Sequence, residues 1–160
     1  MFFEIRNYFF IVVLFFILIP SCRAATDMEA AFTAYEKRDY ATALKILTPL
    51  ANSGNVIAQF NIANFYRNGW GVTQNFSEAF KWYRRAALIG YPPAQNSLGT
   101  LYKNGTGVTK NYNEAYKWFE ESAKAGNIPA KYNQARMIQL GLGVVVDLNY
   151  AVQLYDQILN

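Results

Sequence analysis

The sequence predicts an all-α fold: an α/α superhelical solenoid of antiparallel helix pairs with a 36-residue period and about eight helices after an N-terminal signal peptide. The string NGWGVTQNFSEAFKWY, which begins at Asn68, returns as NGTGVTKNYNEAYKWF from Asn104, 36 residues later. Internal periods of about 20–50 residues are typical of solenoids. Apolar residues also recur at helical spacing in each period, and no segment shows the strict alternation of a strand.

The repeat divides the chain into blocks that begin at the equivalent residues Ala58, Ala94 and Ala130. The third block stops early but keeps the paired glycines of its turn. Upstream of the first block, two more helices are predicted near Met28–Lys37 and Tyr40–Ala51. The predicted organisation is a signal peptide at 1–24, an N-terminal helical half-repeat or cap at 25–57, repeats at 58–93 and 94–129, and a partial repeat at 130–160.

Each block predicts two helices joined by a Gly-x-Gly turn. In the first block, Ala58, Ile62 and Tyr66 lie on one apolar face of the first helix. The second helix carries a similar stripe, and Trp82 and its equivalent Trp118 are predicted to lie in the core. The turn has no preceding strand and no following Lys-Ser/Thr, so it is predicted to be structural and not a phosphate-binding loop.

Residues at the helix ends support these boundaries. Asn75 precedes Glu78 by three residues, and Asn111 precedes Glu114 in the same way, which resembles a capping box with Asn as the cap. Gly90 follows the second helix, where a left-handed residue commonly ends a helix.

These motifs resemble the Sel-1-like repeat, a relative of the tetratricopeptide repeat. The second block carries the pattern as AQNSLGTLYKNGTGVTKNYNEAYKWFEESAKAG, and AYEKRDYATALKILTPLANSGN resembles the half-repeat that often leads exported bacterial arrays. The chain departs from the family pattern where Asn75 and Asn111 replace the usual Asp. It also departs in the third block, where Gln134 and Ile138 replace Leu and Tyr.

The N-terminus predicts export to the periplasm or the extracellular space. An apolar run, Tyr8–Ile19, is too short to span a membrane and is followed by Pro20 and small residues. We expect cleavage after Ala24. The alternatives are a lipoprotein signal, in which Cys22 carries lipid and anchors the protein to a membrane, and an uncleaved anchor.

Composition argues against several classes of function. The formal net charge of +4 is scattered with no Lys/Arg run, so nucleic acid is not an expected partner. The chain has no histidine, and Cys22 is its single cysteine. It therefore lacks the commonest metal ligand and general base, and we expect no catalytic residue, no metal and no cofactor. Some cysteine-rich relatives are linked to β-lactam binding or hydrolysis, an enzymatic alternative that these absences disfavour.

The resemblance implies a non-enzymatic interaction scaffold or adaptor for a protein or peptide partner. In such solenoids the first helix of each pair lines a concave groove. Arg67, Lys103 and Arg136 would form a cationic row for a partner with carboxylates. The predicted groove residues are Phe60, Asn64, Arg67, Asn96, Thr100, Lys103, Tyr132, Arg136 and Gln139.

The last predicted helix differs from its equivalents. It places Ile158 and Leu159 where the earlier blocks have small residues. These bulky side chains predict either a cap over the core or an exposed apolar patch for self-association. A lipid-anchored protein that supports an envelope assembly through its ends is therefore an alternative to the groove-binding adaptor.

Overall fold

The computed structural model describes residues 24–159, and this part of the chain contains eight helices and no strand. The predicted all-α solenoid is confirmed. Cys22 and all but the last residue of the predicted signal peptide lie outside the described residues. The helices are α1 (24–36), α2 (Tyr40–Asn52), α3 (Val56–Asn68), α4 (Phe76–Leu88), α5 (Pro92–Asn104), α6 (Tyr112–Lys124), α7 (Ile128–Leu140) and α8 (Leu148–Leu159).

Helices that follow each other in sequence pack against each other, from α2 to α8. Alanines lie at the points of close approach. Ala58, Ala94 and Ala130 on the odd-numbered helices are fully buried, as are Ala79 and Ala115 on the even-numbered ones. Because alanine adds only a methyl group, two helix backbones can approach closely there, which explains why these positions repeat.

Side-chain caps begin most of the helices. The Asn75 side chain accepts a hydrogen bond from the Glu78 backbone N–H at 3.0 Å, and Asn111 does the same for Glu114 at 3.1 Å. The reciprocal half of the predicted capping box is absent, because the Asn75 N–H donates to the Tyr66 carbonyl instead. The carboxylates of Glu78 and Glu114 pair with the lysines three residues later.

The two glycines of each Gly-x-Gly turn have different structural roles. The first glycine of each Gly-x-Gly turn ends an odd-numbered helix in the left-handed conformation, as Gly105 does at φ 72°. The second glycine lies against the first residue of the even-numbered helix in the preceding repeat, as Gly107 does against Phe76. The turn is therefore both a connection within one repeat and a contact between two repeats.

The prediction that Trp82 and Trp118 lie in the core is wrong by one position on each helix. Both are half-buried, and the fully buried aromatic residues are their neighbours Tyr83 and Phe119. Trp82 lies at the edge of two adjoining core clusters, and the Arg85 guanidinium carbon stands 4.4 Å from its ring centroid. Within residues 24–159, no helix has the length and apolar character needed to cross a membrane.

Candidate partner-binding groove

The predicted groove residues all lie on α3, α5 and α7, which with α1 form the odd-helix face. Four of the nine side chains are exposed and five are half-buried; none is fully buried. The exposed ones are Arg67, Tyr132, Arg136 and Gln139. The structure divides most of the set between two depressions and the edge that faces α8.

The first depression, the aromatic pocket, is a cavity of about 390 Å³ between α1 and α3, with Ser97 from α5 at its border. It contains three of the predicted residues. Sequence analysis missed its other main residues, which come from α1 and from the turn after α3. The aromatic pocket is defined here by Phe32, Tyr35, Phe60, Asn64, Arg67 and Trp70.

Ring contacts hold the floor of the aromatic pocket. Trp70 stacks on Tyr40 with a centroid distance of 5.6 Å and an interplanar angle of 12°. Tyr35 lies 5.3 Å from Trp70, and Phe65 meets the Trp70 ring edge-on at 5.9 Å. Contacts of this kind favour fixed orientations of the Tyr35, Phe65 and Trp70 rings.

A part-buried hydrogen bond orients Asn64, a polar residue that lines the aromatic pocket. The Tyr83 hydroxyl donates to Oδ1 of Asn64. Burial raises the pKa of Tyr83 above its ordinary value, and this outweighs the opposing effect of nearby Arg67, so the hydroxyl stays protonated as a donor at neutral pH. This bond fixes which side of the Asn64 amide carries the oxygen, and leaves the Nδ2 group as a donor for a ligand.

The second depression, the cationic pocket, has a volume of about 400 Å³ and lies between α5 and α7. Three cations line it: Lys103, Lys110 and Arg136. Burial lowers the pKa of Lys103 below its ordinary value, and the charge of Arg136 lowers it further. The pocket therefore holds positive charges that disfavour each other until an anion is present.

The cationic row is thus split between the two pockets. Arg67 borders the aromatic pocket, whereas Lys103 and Arg136 share the cationic pocket. None of the ion pairs found within residues 24–159 involves these three side chains or Lys110.

The remaining predicted residues make contacts within the protein. Asn96 accepts a hydrogen bond from Nδ2 of Asn133 at 2.9 Å, which links α5 to the border of the cationic pocket. The Thr100 hydroxyl donates to the Asn96 carbonyl at 3.0 Å. The Tyr132 ring and the Gln139 amide oxygen both contact Tyr155 of α8.

Comparison with known proteins agrees with this architecture. The Sel1 repeat model matches residues 56–91, 92–127 and 128–158. The crystal structure of a Sel1 repeat protein from Oxalobacter formigenes is 30% identical, with a TM-score of 0.77 over 82% of this chain and 54% of that one. The structure of c5321, a protective antigen of uropathogenic Escherichia coli with an SLR fold, is 29% identical, with a TM-score of 0.83 over 85% of this chain and 30% of that one.

A third structure, cysteine rich protein B of Helicobacter pylori, shares the fold at 16% identity, with a TM-score of 0.54 over 82% of this chain and 88% of that one. No curated protein matches the sequence. The chain spans about half the length of the Oxalobacter protein and less than a third of c5321. Sel1 repeat solenoids are typically protein-interaction scaffolds. Three matched repeats, carried on consecutive helix pairs, place this chain in the Sel1 repeat family, to which it belongs.

Proposed function

We propose that the chain is a non-enzymatic adaptor that holds a carboxylate-bearing segment of a partner protein against the odd-helix face. The observation that carries the proposal is the placement of Arg67, Lys103 and Arg136 on this face without ion-pair partners in the described part of the chain. By contrast, the lysines of α4 and α6 pair with glutamates on their own helices.

The cationic pocket supplies the charge that such a segment needs. Lys103 is half-buried and stands beside Arg136, so a carboxylate entering the pocket would relieve their repulsion and accept charge-assisted hydrogen bonds. Arginine can bind a carboxylate through two parallel N–H groups, which also orients the ligand.

The aromatic pocket supplies apolar contact for the same segment. Its volume of about 390 Å³ can take a large apolar side chain, and the Arg67 guanidinium at its border can meet a neighbouring carboxylate. Burying one such side chain contributes about 1.5–3 kcal/mol of hydrophobic free energy. The Asn64 Nδ2 group can donate to a peptide carbonyl of the segment.

A pull-down tests this proposal. Arg67, Lys103 and Arg136 are changed together to Glu, and the matched control changes Lys45, Arg84 and Lys117, which lie on α2, α4 and α6, to Glu. Both variants carry the same net charge. The proposal expects a partner that the wild type and the control retain and the groove variant loses, with helicity unchanged in circular dichroism.

Two outcomes of the pull-down would contradict the proposal. A partner that binds all three proteins equally would place its binding site away from the odd-helix face. A partner lost by both variants would respond only to net charge, and this too contradicts a specific groove.

We also propose that the protein is exported, on the strength of the apolar run Tyr8–Ile19 and the small residues after it. The mass of the mature N-terminus tests this. A chain that begins at Ala25 supports signal cleavage, a lipid-modified Cys22 supports the membrane-anchored form, and an intact Met1 in the cell interior contradicts export.

A further inference from the structure

Helix α8 carries an apolar stripe, the α8 seam, formed by Leu148, Val152, Tyr155 and Leu159. These residues follow the spacing i, i+4, i+7 and i+11, which places them in one row along the helix, as in the contact row of a coiled coil. Leu148, Val152 and Leu159 are 58%, 56% and 83% exposed, and Tyr155 is half-buried.

The equivalent rows on α4 and α6 are covered by the next repeat. On α4, Tyr83 and Ala87 are 0% and 2% exposed. The Tyr102 ring of α5 lies 5.4 Å from Phe80 and meets it edge-on. The α8 seam is therefore equivalent to a surface that the next repeat covers on α4, and within residues 24–159 three of its four side chains, Leu148, Val152 and Leu159, are exposed.

The composition of the α8 seam differs from that of the covered rows. Leu159 stands where α4 and α6 have Ala87 and Ala123, and Ile158, which lies beside the seam, stands where α4 has Ala86. Small residues at these positions let the next helix approach closely, whereas leucine and isoleucine keep a neighbour at a distance that large side chains must fill. A helix with large apolar residues at the same spacing suits this surface.

The α8 of a second copy has that pattern. The other end of the solenoid does not, because α2 exposes no large hydrophobic side chain and Phe32 and Tyr35 of α1 face the aromatic pocket. At that end the exposed apolar side chains, Phe32 and Tyr35, line a pocket, so a head-to-tail contact would set the α8 seam against a pocket and not against a matching row of apolar side chains. A contact of α8 with itself matches apolar surface on both sides and closes as a two-fold dimer.

We infer that the protein forms a two-fold dimer through the α8 seam, with the two α8 helices antiparallel. The antiparallel direction places the positive N-terminal end of each α8 beside the negative C-terminal end of the other, which favours it over the parallel direction. In this arrangement Leu148 faces Leu159 of the second copy, and Val152 faces Tyr155 of the second copy. None of the four seam residues lines either pocket of the odd-helix face.

Light scattering on the protein expressed from its full 160-residue sequence tests the inference. We expect a mass of twice the single chain that falls toward the single-chain mass on dilution. Leu148→Lys and Leu159→Glu are each expected to be monomeric at concentrations where the wild type is dimeric. Because these positions face each other across the two-fold axis, an equimolar mixture of the two variants should recover the dimer mass.

Two further variants complete the test. Leu88→Glu changes a 61%-exposed residue of α4 outside the equivalent row and should dimerise like the wild type. Leu159→Ala restores the residue of α4 and α6 and should raise the dimer dissociation constant about tenfold or more, since it removes most of one apolar side chain from each half of the contact. Circular dichroism verifies that each variant is folded.

A wild type that stays monomeric at every concentration would overturn the inference, as would dimers that persist in both charged variants. A mixture of the charged variants that stays monomeric would overturn the antiparallel pairing. None of these outcomes bears on the groove, because the pull-down variants leave α8 unchanged.

Discussion

Gly107 of the second repeat lies directly on the first residue of α4 in the first repeat. A Cβ at Gly107 would stand 2.3 Å from the carbonyl oxygen of Phe76. The same relationship joins Gly143 to Tyr112, at 2.4 Å from the carbonyl carbon, and Gly71 to Tyr40, at 2.9 Å. The second glycine of each turn thus allows close backbone contact between two neighbouring repeats, in addition to adopting a positive φ.

This contact predicts that Gly107→Ala destabilises the protein by about 2–4 kcal/mol, as the sum of left-handed strain and overlap with Phe76. Gly126→Ala is the matched control, because Gly126 also has a positive φ, 84°, but has no atom within 4 Å of its would-be Cβ. It should cost only the backbone strain, about 1–2 kcal/mol. Urea unfolding measures both, and equal losses would show that the close approach carries no energy.

The cap of α6 gives a second prediction. Asn111→Ala should reduce the free energy of unfolding by about 1 kcal/mol, since it leaves the Glu114 backbone N–H without its side-chain acceptor. Asn113→Ala, at an exposed position two residues later, should change it by less than about 0.5 kcal/mol. Thermal unfolding of the two variants makes the comparison, and an equal effect would contradict the cap.

The Tyr83–Asn64 hydrogen bond gives a third prediction. Tyr83→Phe should destabilise the fold by about 1 kcal/mol at pH 7, because it leaves Oδ1 of Asn64 without its donor. The pKa of Tyr83 is raised by burial, so its neutral form is favoured in the folded state. Its contribution to stability is complete below pH 10 and is lost as the pH rises through the raised pKa.

Unfolding experiments between pH 7 and pH 11 follow that loss. The difference in stability between wild type and Tyr83→Phe should shrink as the pH rises above 10. A difference that stays constant over this range would show that Tyr83 does not ionise differently in the folded and unfolded states.

The cationic pocket gives a fourth prediction. Arg136→Gln should raise the pKa of Lys103 part of the way toward its ordinary value, because it removes the repulsion but leaves the larger effect of burial in place. NMR titration of the lysine side chains measures this. Arg84→Gln on α4 is the control and should leave the titration of Lys103 unchanged.

For the proposed carboxylate-bearing partner, the same lowered pKa predicts how binding depends on pH. A bound carboxylate favours the charged form of Lys103, so binding takes up a proton once the free side chain has begun to lose it. Affinity should therefore be full below the lowered pKa of Lys103 and fall as the pH rises through it. Calorimetry in buffers of different ionisation enthalpy measures the proton uptake, and its absence at high pH would remove Lys103 from the binding site.

The helix pairs, their 36-residue period and the residues that cap them could all be predicted from the sequence. Each of these depends on interactions within one helix or one turn. The caps of Asn75 and Asn111 reach three residues along the chain, and a left-handed glycine acts on its own backbone. Signals this local are visible in a single sequence, and their recurrence at a fixed period identifies the solenoid.

The contacts between side chains of different helices could not be predicted in this way, because they depend on how the helices pack. The repeat placed Trp82 on the correct helix, but packing against α3 and α5 put Tyr83 in the core. Phe32 and Tyr35 belong to α1, which lies before the repeats and does not share their residue pattern. The 36-residue period therefore could not predict that they lie beside Phe60. The row of three cations likewise separated into two pockets, because a pocket depends on distances between helices, and periodicity determines only which residues share a face.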